Sequence, residues 1–134
     1  QSLQKKLDSY NLIRLKEVKK QLLSTKKELD SFSIIEHQLD LSAEEMKQII
    51  FEIKAEMKSL VVLLSSKQNN KPFISLMISE DLVKSKNWNA GLIIRELAKE
   101  IKGGGGGQPF FATAGGSDVN GLKNVILKAR EIFK

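Results

Sequence analysis

Seven of the chain's nine glycines fall between residues 103 and 116, within the stretch EIKGGGGGQPFFATAGGSD (100–118). Glycine loses more backbone freedom on folding than any other residue, so five in a row are costly unless the bare main chain is needed. Two uses fit: turning several N–H groups toward an anionic ligand, or letting the chain pass very close to another backbone. The defined phosphate motifs do not fit. No Gly-Lys-Ser/Thr follows, and the run leaves a predicted helix to enter a predicted strand, the reverse of a dinucleotide fingerprint. A plain linker is disfavoured because both flanks read as core-forming elements. The spacing predicts a loop of Gly103, Gly104, Gly105, Gly106 and Gly107, continued by Gln108 and closed by Gly115 and Gly116. Lys102 leads into it, and Lys99 and Arg95 lie one and two turns back on the preceding helix as a basic approach. On this reading, valine at 105 costs binding more than stability; a tight turn alone predicts the opposite.

Little else carries chemistry. His37 is the single histidine and there is no cysteine, so a Ser–His triad, a multi-His metal site and a thiolate site are out of reach within this chain. No catalytic residue is expected, and no metal. The acids lie mainly on helix exteriors near lysines, as solvated partners. Trp88 sits in a loop beside Lys84 and Lys86, where packing over the following helix competes with base stacking.

The elements that must position the glycines follow from periodicity. Residues 3–30 lack Gly and Pro and read as one long helix. Leu15, Val18, Leu22 and Leu29 follow a 3–4 spacing there, a short coiled-coil seam that would serve dimerisation. Residues 33–39 read as a strand. "SAEE" (42–45) is a capping box before a helix whose apolar face is Met46, Ile49, Ile50, Ile53 and Met57. "LVVLLSS" and "PFISLMIS" form an apolar hairpin pair, and "EDLVKS" a helical turn. Asn89 caps the helix that ends at Gly103. "PFFATA" (109–114) is a strand, and Asp118 caps the last helix. The order predicts an α/β fold, an α+β mixed sheet with flanking helices. It is divided into a helical arm (1–32) and a globular part (33–134).

The net charge is +6 with a pI near 9.5, and residues 1–30 carry eight basic against four acidic side chains. A basic surface favours polyanions. No run reaches the length of a membrane span. Absence of cysteine fits a reducing compartment, and the chain is expected to be cytoplasmic. The start, Gln1-Ser2-Leu3, has neither an initiator Met nor a signal pattern and reads as a piece of a longer protein.

"GGGGGQPFFATAGGSD" followed by an amphipathic helix resembles the glycine-rich motif near the C-terminus of alanyl-tRNA synthetases, and the preceding elements match across the chain. The same domain type accompanies DHH-type phosphoesterases, in which a His follows the glycines. Here that position is Gln108, which counts against the phosphoesterase reading. Phe110 stands where the synthetases often have Asp, and their usual basic residue is missing. The resemblance implies the C-terminal tRNA-binding domain of alanine–tRNA ligase. Such a domain contacts the outer corner of alanine-specific tRNA and links aminoacylation with editing. In some members it forms a homodimer through the helical arm. The alternative is an accessory substrate-binding domain of a phosphoesterase. The ATP, Mg and Zn of such a ligase belong to its other domains, with no cofactor implied for this piece. The nucleic-acid-binding positions expected from the residues themselves are those of the glycine stretch, with Lys102, Lys99 and Arg95.

Overall fold

The apolar run 60–64 becomes the middle of a sheet. In a computed structural model the structure describes residues 16–28, 32–39, 42–56, 58–68 and 70–133. Residues 16–24 are helical (α1). There follow β1 (Lys27–Glu28), β2 (Ser33–Leu39), α2 (Ala43–Glu56), β3 (Leu60–Gln68), β4 (Lys71–Ile78), α3 (Glu80–Lys86), α4 (Ala90–Glu100), β5 (Gly104–Gly107), β6 (Phe111–Gly115) and α5 (Leu122–Ile132). The strands form one six-stranded sheet in the order β1-β2-β3-β4-β6-β5. Among the described residues only β2 and β3 pair in parallel, Ser33 opposite Leu60, joined by the α2 crossover. The mixed α/β sheet with flanking helices is as expected.

Alternation along the strands sends side chains to two faces. One core joins Val61, Leu63, Ile74, Leu76 and Ala112 to α4 and α5 through Ile94, Leu97, Val125 and Phe133. The other joins Ile35, Val62, Leu64 and Met77 to α2 through Met46, Ile49, Ile50 and Ile53. Met57 lies outside the described residues. The capping box forms as read: Glu45 N–H donates to Ser42 Oγ at 3.2 Å, and Ser42 N–H to Glu45 Oε1 at 3.1 Å.

The helix expected through residue 30 ends at residue 24. Ser24 and Thr25 hydroxyls donate to the carbonyls of Gln21 and Leu22, drawing the last turn closed. Lys27 and Glu28 then pair with Ile34 and Ser33 as the outermost strand. Leu22, expected in a dimer seam, is fully buried in its own chain, among the α2-side core with Val18 packed beside it. Leu15 and Leu29 lie outside the described residues. Trp88 meets Phe32 and Phe133 edge-on, at 5.2 and 4.9 Å between centroids, half-buried and packed against the α4/α5 core.

Candidate nucleic-acid interface

Asn89 opens α4 by accepting from Leu92 N–H at 3.3 Å, and the helix closes on a lysine. Gly103 N–H donates to Ala98 O (3.0 Å) and Lys102 N–H to Lys99 O (3.3 Å), the nested pair of a Schellman end. The left-handed residue of that motif is Lys102, with φ 53°, so the stop signal lies one residue before the expected Gly103. A side chain in that conformation costs about 1 kcal/mol. Neighbours hold it there: Ser117 and Asp118 N–H groups both donate to Ile101 O.

The glycines do not form a loop. Gly104–Gly107 are β5, pairing with β6 from Gly104↔Gly115 to Gly107↔Ala112. Gln108 N–H donates to Phe111 O at 2.8 Å, closing a two-residue turn at Pro109 and Phe110. Counting back from that bond, the ladder uses 106 and 104, and the main-chain groups of Gly105 point away from β6. The strand passes so close to β6 that a Cβ at Gly105 would overlap Thr113 O and Ala114; one at Gly103 would overlap the Gly115 carbonyl. A Cβ at Gly104 meets nothing within 4 Å, and one at Gly106 meets only the Arg95 guanidinium at 3.5 Å. A Cβ at Gly107 would overlap Phe111 O and Ala112, so three of the five glycines are demanded by close backbone approach and two, Gly104 and Gly106, are not.

Beside the start of β5 lies a cleft of about 630 Å³. Its walls are Gly103, Gly115 and Gly116 on one side and Pro72 and Phe73 on the other, with Ser42 and Ala43 at the start of α2. Lys71 and Lys102 also line it, both exposed. No ion pair holds either lysine among the described residues. The N–H groups of Gly103 and Gly116 are spent on Ala98 O and Pro72 O, so the main-chain donors of these glycines do not serve an anion as expected. Two unneutralised cations beside an aromatic wall can take a phosphate together with the flat face of a base.

The structure thus gathers Lys102, Gly103, Gly115 and Gly116. Arg95 lies against Gly106 instead. Lys99 is engaged elsewhere: it binds Glu96 at 3.2 Å, and Glu96 also faces Lys128 at 3.7 Å. The Glu96 carboxyl is held below its ordinary range, chiefly by the Lys99 hydrogen bond. Gln108 is exposed at the far end of β5, and His37 is exposed on β2. Sequence reasoning does not find Lys71, Phe73, Ser42 and Ser117. They reach the cleft from separate elements, and no spacing along the chain joins them. Among the described residues, no group of His, Cys, Asp or Glu is placed to hold a metal ion, and no helix is long and apolar enough to cross a membrane.

The model of one protein family, the DHHA1 domain, matches residues 30–134. The chain belongs to the DHHA1 domain family. The resemblance drawn from the glycine stretch is borne out at that level and by the relatives. The alanine–tRNA ligase of Cytophaga hutchinsonii is 42% identical over 133 residues, 98% of this chain and 15% of that protein. That of Christiangramia forsetii is 38% identical over 133 residues, again 15% of its length. This DHHA1 chain therefore spans about 15% of the relatives it matches. In fold it is similar to the C-Ala domain of the Aquifex aeolicus alanyl-tRNA synthetase. The TM-score is 0.72 at 24% identity, over 80% of this chain and 96% of that one.

Proposed function

We propose that this chain is the C-terminal tRNA-binding domain of an alanine–tRNA ligase. In this reading it grips the outer corner of the tRNA so that one molecule serves both aminoacylation and editing. The observation that carries the RNA contact is the cleft, where Lys71 and Lys102 flank the bare main chain of Gly103, Gly115 and Gly116. The relatives' names supply the tRNA. Recognition here is of shape and phosphate, which requires no catalytic group. ATP, magnesium and zinc are then used by other domains of a cytoplasmic enzyme. A homodimer, in this reading, is held by contacts other than Leu22, which is occupied inside its own chain.

The test compares two RNAs: a full alanine-accepting tRNA, and a minihelix that keeps the acceptor arm but lacks the outer corner. The chain is expected to bind the full tRNA and to bind the minihelix at least about tenfold more weakly, a difference of about 1.4 kcal/mol. Equal binding of the two would remove the outer corner as the contact.

A further inference from the structure

The surface of α2 beyond the cleft mixes aromatic and basic side chains. Lys47, Phe51 and Lys54 stand at i, i+4 and i+7 of α2, a spacing that places them on one side of the helix. A solvent-facing helix position normally carries a polar residue, yet Phe51 is 37% exposed. Lys47 Nζ lies 6.0 Å from its ring centroid and Lys54 Nζ 5.9 Å. The turn between β5 and β6 adds a second ring to the same surface: Phe110, with Lys54 Nζ 5.0 Å from its centroid. Phe111 supports the arrangement from beneath, 5.3 Å from Phe51 and packed on the α2-side core.

We infer that this surface is a second RNA contact, a platform on which one unpaired base stacks while the flanking phosphates meet Lys47 and Lys54. The inference rests on the RNA-binding reading above and adds a site and a chemistry to it. Charge selects the partner. Lys47 makes no ion pair among the described residues, and Lys54 has Glu80 at 3.9 Å, a distant and exposed partner. The surface is therefore cationic as well as aromatic. An unstacked nucleotide offers what it lacks, a flat π face joined to a negative charge, and stacking of this kind is tolerant of sequence. Position selects RNA over a separate polyanion. The helix begins at the cleft, where Ser42 and Ala43 form part of the wall, and Lys54 lies eleven residues further on, about 16 Å at 1.5 Å per residue. A strand whose phosphate sits in the cleft reaches the platform within a few nucleotides.

The experiment uses the full chain with tRNA and with a short single-stranded oligoribonucleotide. Phe51→Leu keeps an apolar side chain and removes the π face; Phe51→Trp keeps both and adds a fluorophore. Phe51→Leu is expected to lose about fivefold or more in affinity for both RNAs, the low end of the effect of removing one base–aromatic stack. Phe51→Trp is expected to bind as the unaltered chain does, with its added emission quenched by RNA. Because Phe51 is partly exposed, both variants should melt close to the unaltered chain. If Phe51→Leu binds RNA normally while Lys71→Ala weakens it, the platform is wrong and the cleft stands. If the unaltered chain binds neither RNA, both readings fall. Self-association of the chain that Phe51→Leu abolishes, with RNA affinity unchanged, would instead make this surface an interface between copies and overturn the inference.

Discussion

At one edge of the sheet stand Lys27 and Glu28; at the other stand four glycines. The β1 edge is two residues long, exposed and charged, the ordinary way to keep an open strand from pairing with another chain. The β5 edge has no side chains at all and is twice as long. That edge is largely exposed; α4 packs closely at the strand's last residue, where a Cβ on Gly91 would lie 3.0 Å from Gly107 O. An edge guarded by charge tolerates substitution, whereas one built from close backbone approach tolerates it only where the backbone is open. The glycine run therefore contains two kinds of position. Gly103, Gly105 and Gly107 build the fold, while Gly104 and Gly106 keep the surface bare.

The largest effect is expected on the β1 side, though not on the edge itself. Leu22 anchors the helix that leads to β1, and Leu22→Asp buries an unpaired charge, at a cost of about 4 kcal/mol or more. Denaturant unfolding should show this loss, and sedimentation should show no dimer dissociating in its place. On the β5 side, Gly105→Val forces a branched side chain into Thr113 and Ala114. About 3 kcal/mol of destabilisation is expected, with a melting temperature lower by about 10 °C. A near-normal melt would mean that the close approach to β6 does not constrain this strand. Gly104→Ala is the matched control. It meets open space and reduces the freedom of the unfolded chain, so stability should rise by about 0.4–1 kcal/mol. The smallest effect is expected at Lys102. Lys102→Gly relieves the left-handed strain but adds unfolded-state freedom, so the thermal melt should gain at most about 1 kcal/mol.

Most of this architecture is legible locally. The capping box at Ser42, the cap at Asn89, the apolar faces of α2 and α4 and the strands β2, β3 and β4 each announce themselves within a few residues. The glycine strand does not, because strand periodicity is carried by side chains and β5 has none. Five glycines read naturally as a loop, and only the pairing with β6 makes them a strand. The early end of α1 escapes because most of residues 21–30 are good helix formers; the Ser24 and Thr25 hydroxyl bonds and the pairing of Lys27 and Glu28 with β2 override that propensity. The site divides in the same way. Lys102 and the glycines are visible as a motif. Along the chain Lys71 and Phe73 belong to a turn and an ordinary strand, since their place beside Gly115 is set by the β4–β6 register. Lys99 looks equivalent to Lys102 along the helix, but its partner Glu96 occupies it.

The central claim is that RNA is held at the cleft between Lys71 and Lys102, beside bare main chain, and not by the lysine-rich N-terminal residues. The most direct test measures tRNA affinity against salt concentration for the double variant Lys71→Ala/Lys102→Gly, shown by its melt to be folded. Removing one lysine–phosphate interaction should lower the slope of log K on log salt by about 0.7 to 0.9. The double variant should therefore bind more weakly at low salt, with a slope reduced by about 1.5. Affinity and slope equal to those of the unaltered chain would contradict the account and place the RNA elsewhere on the molecule.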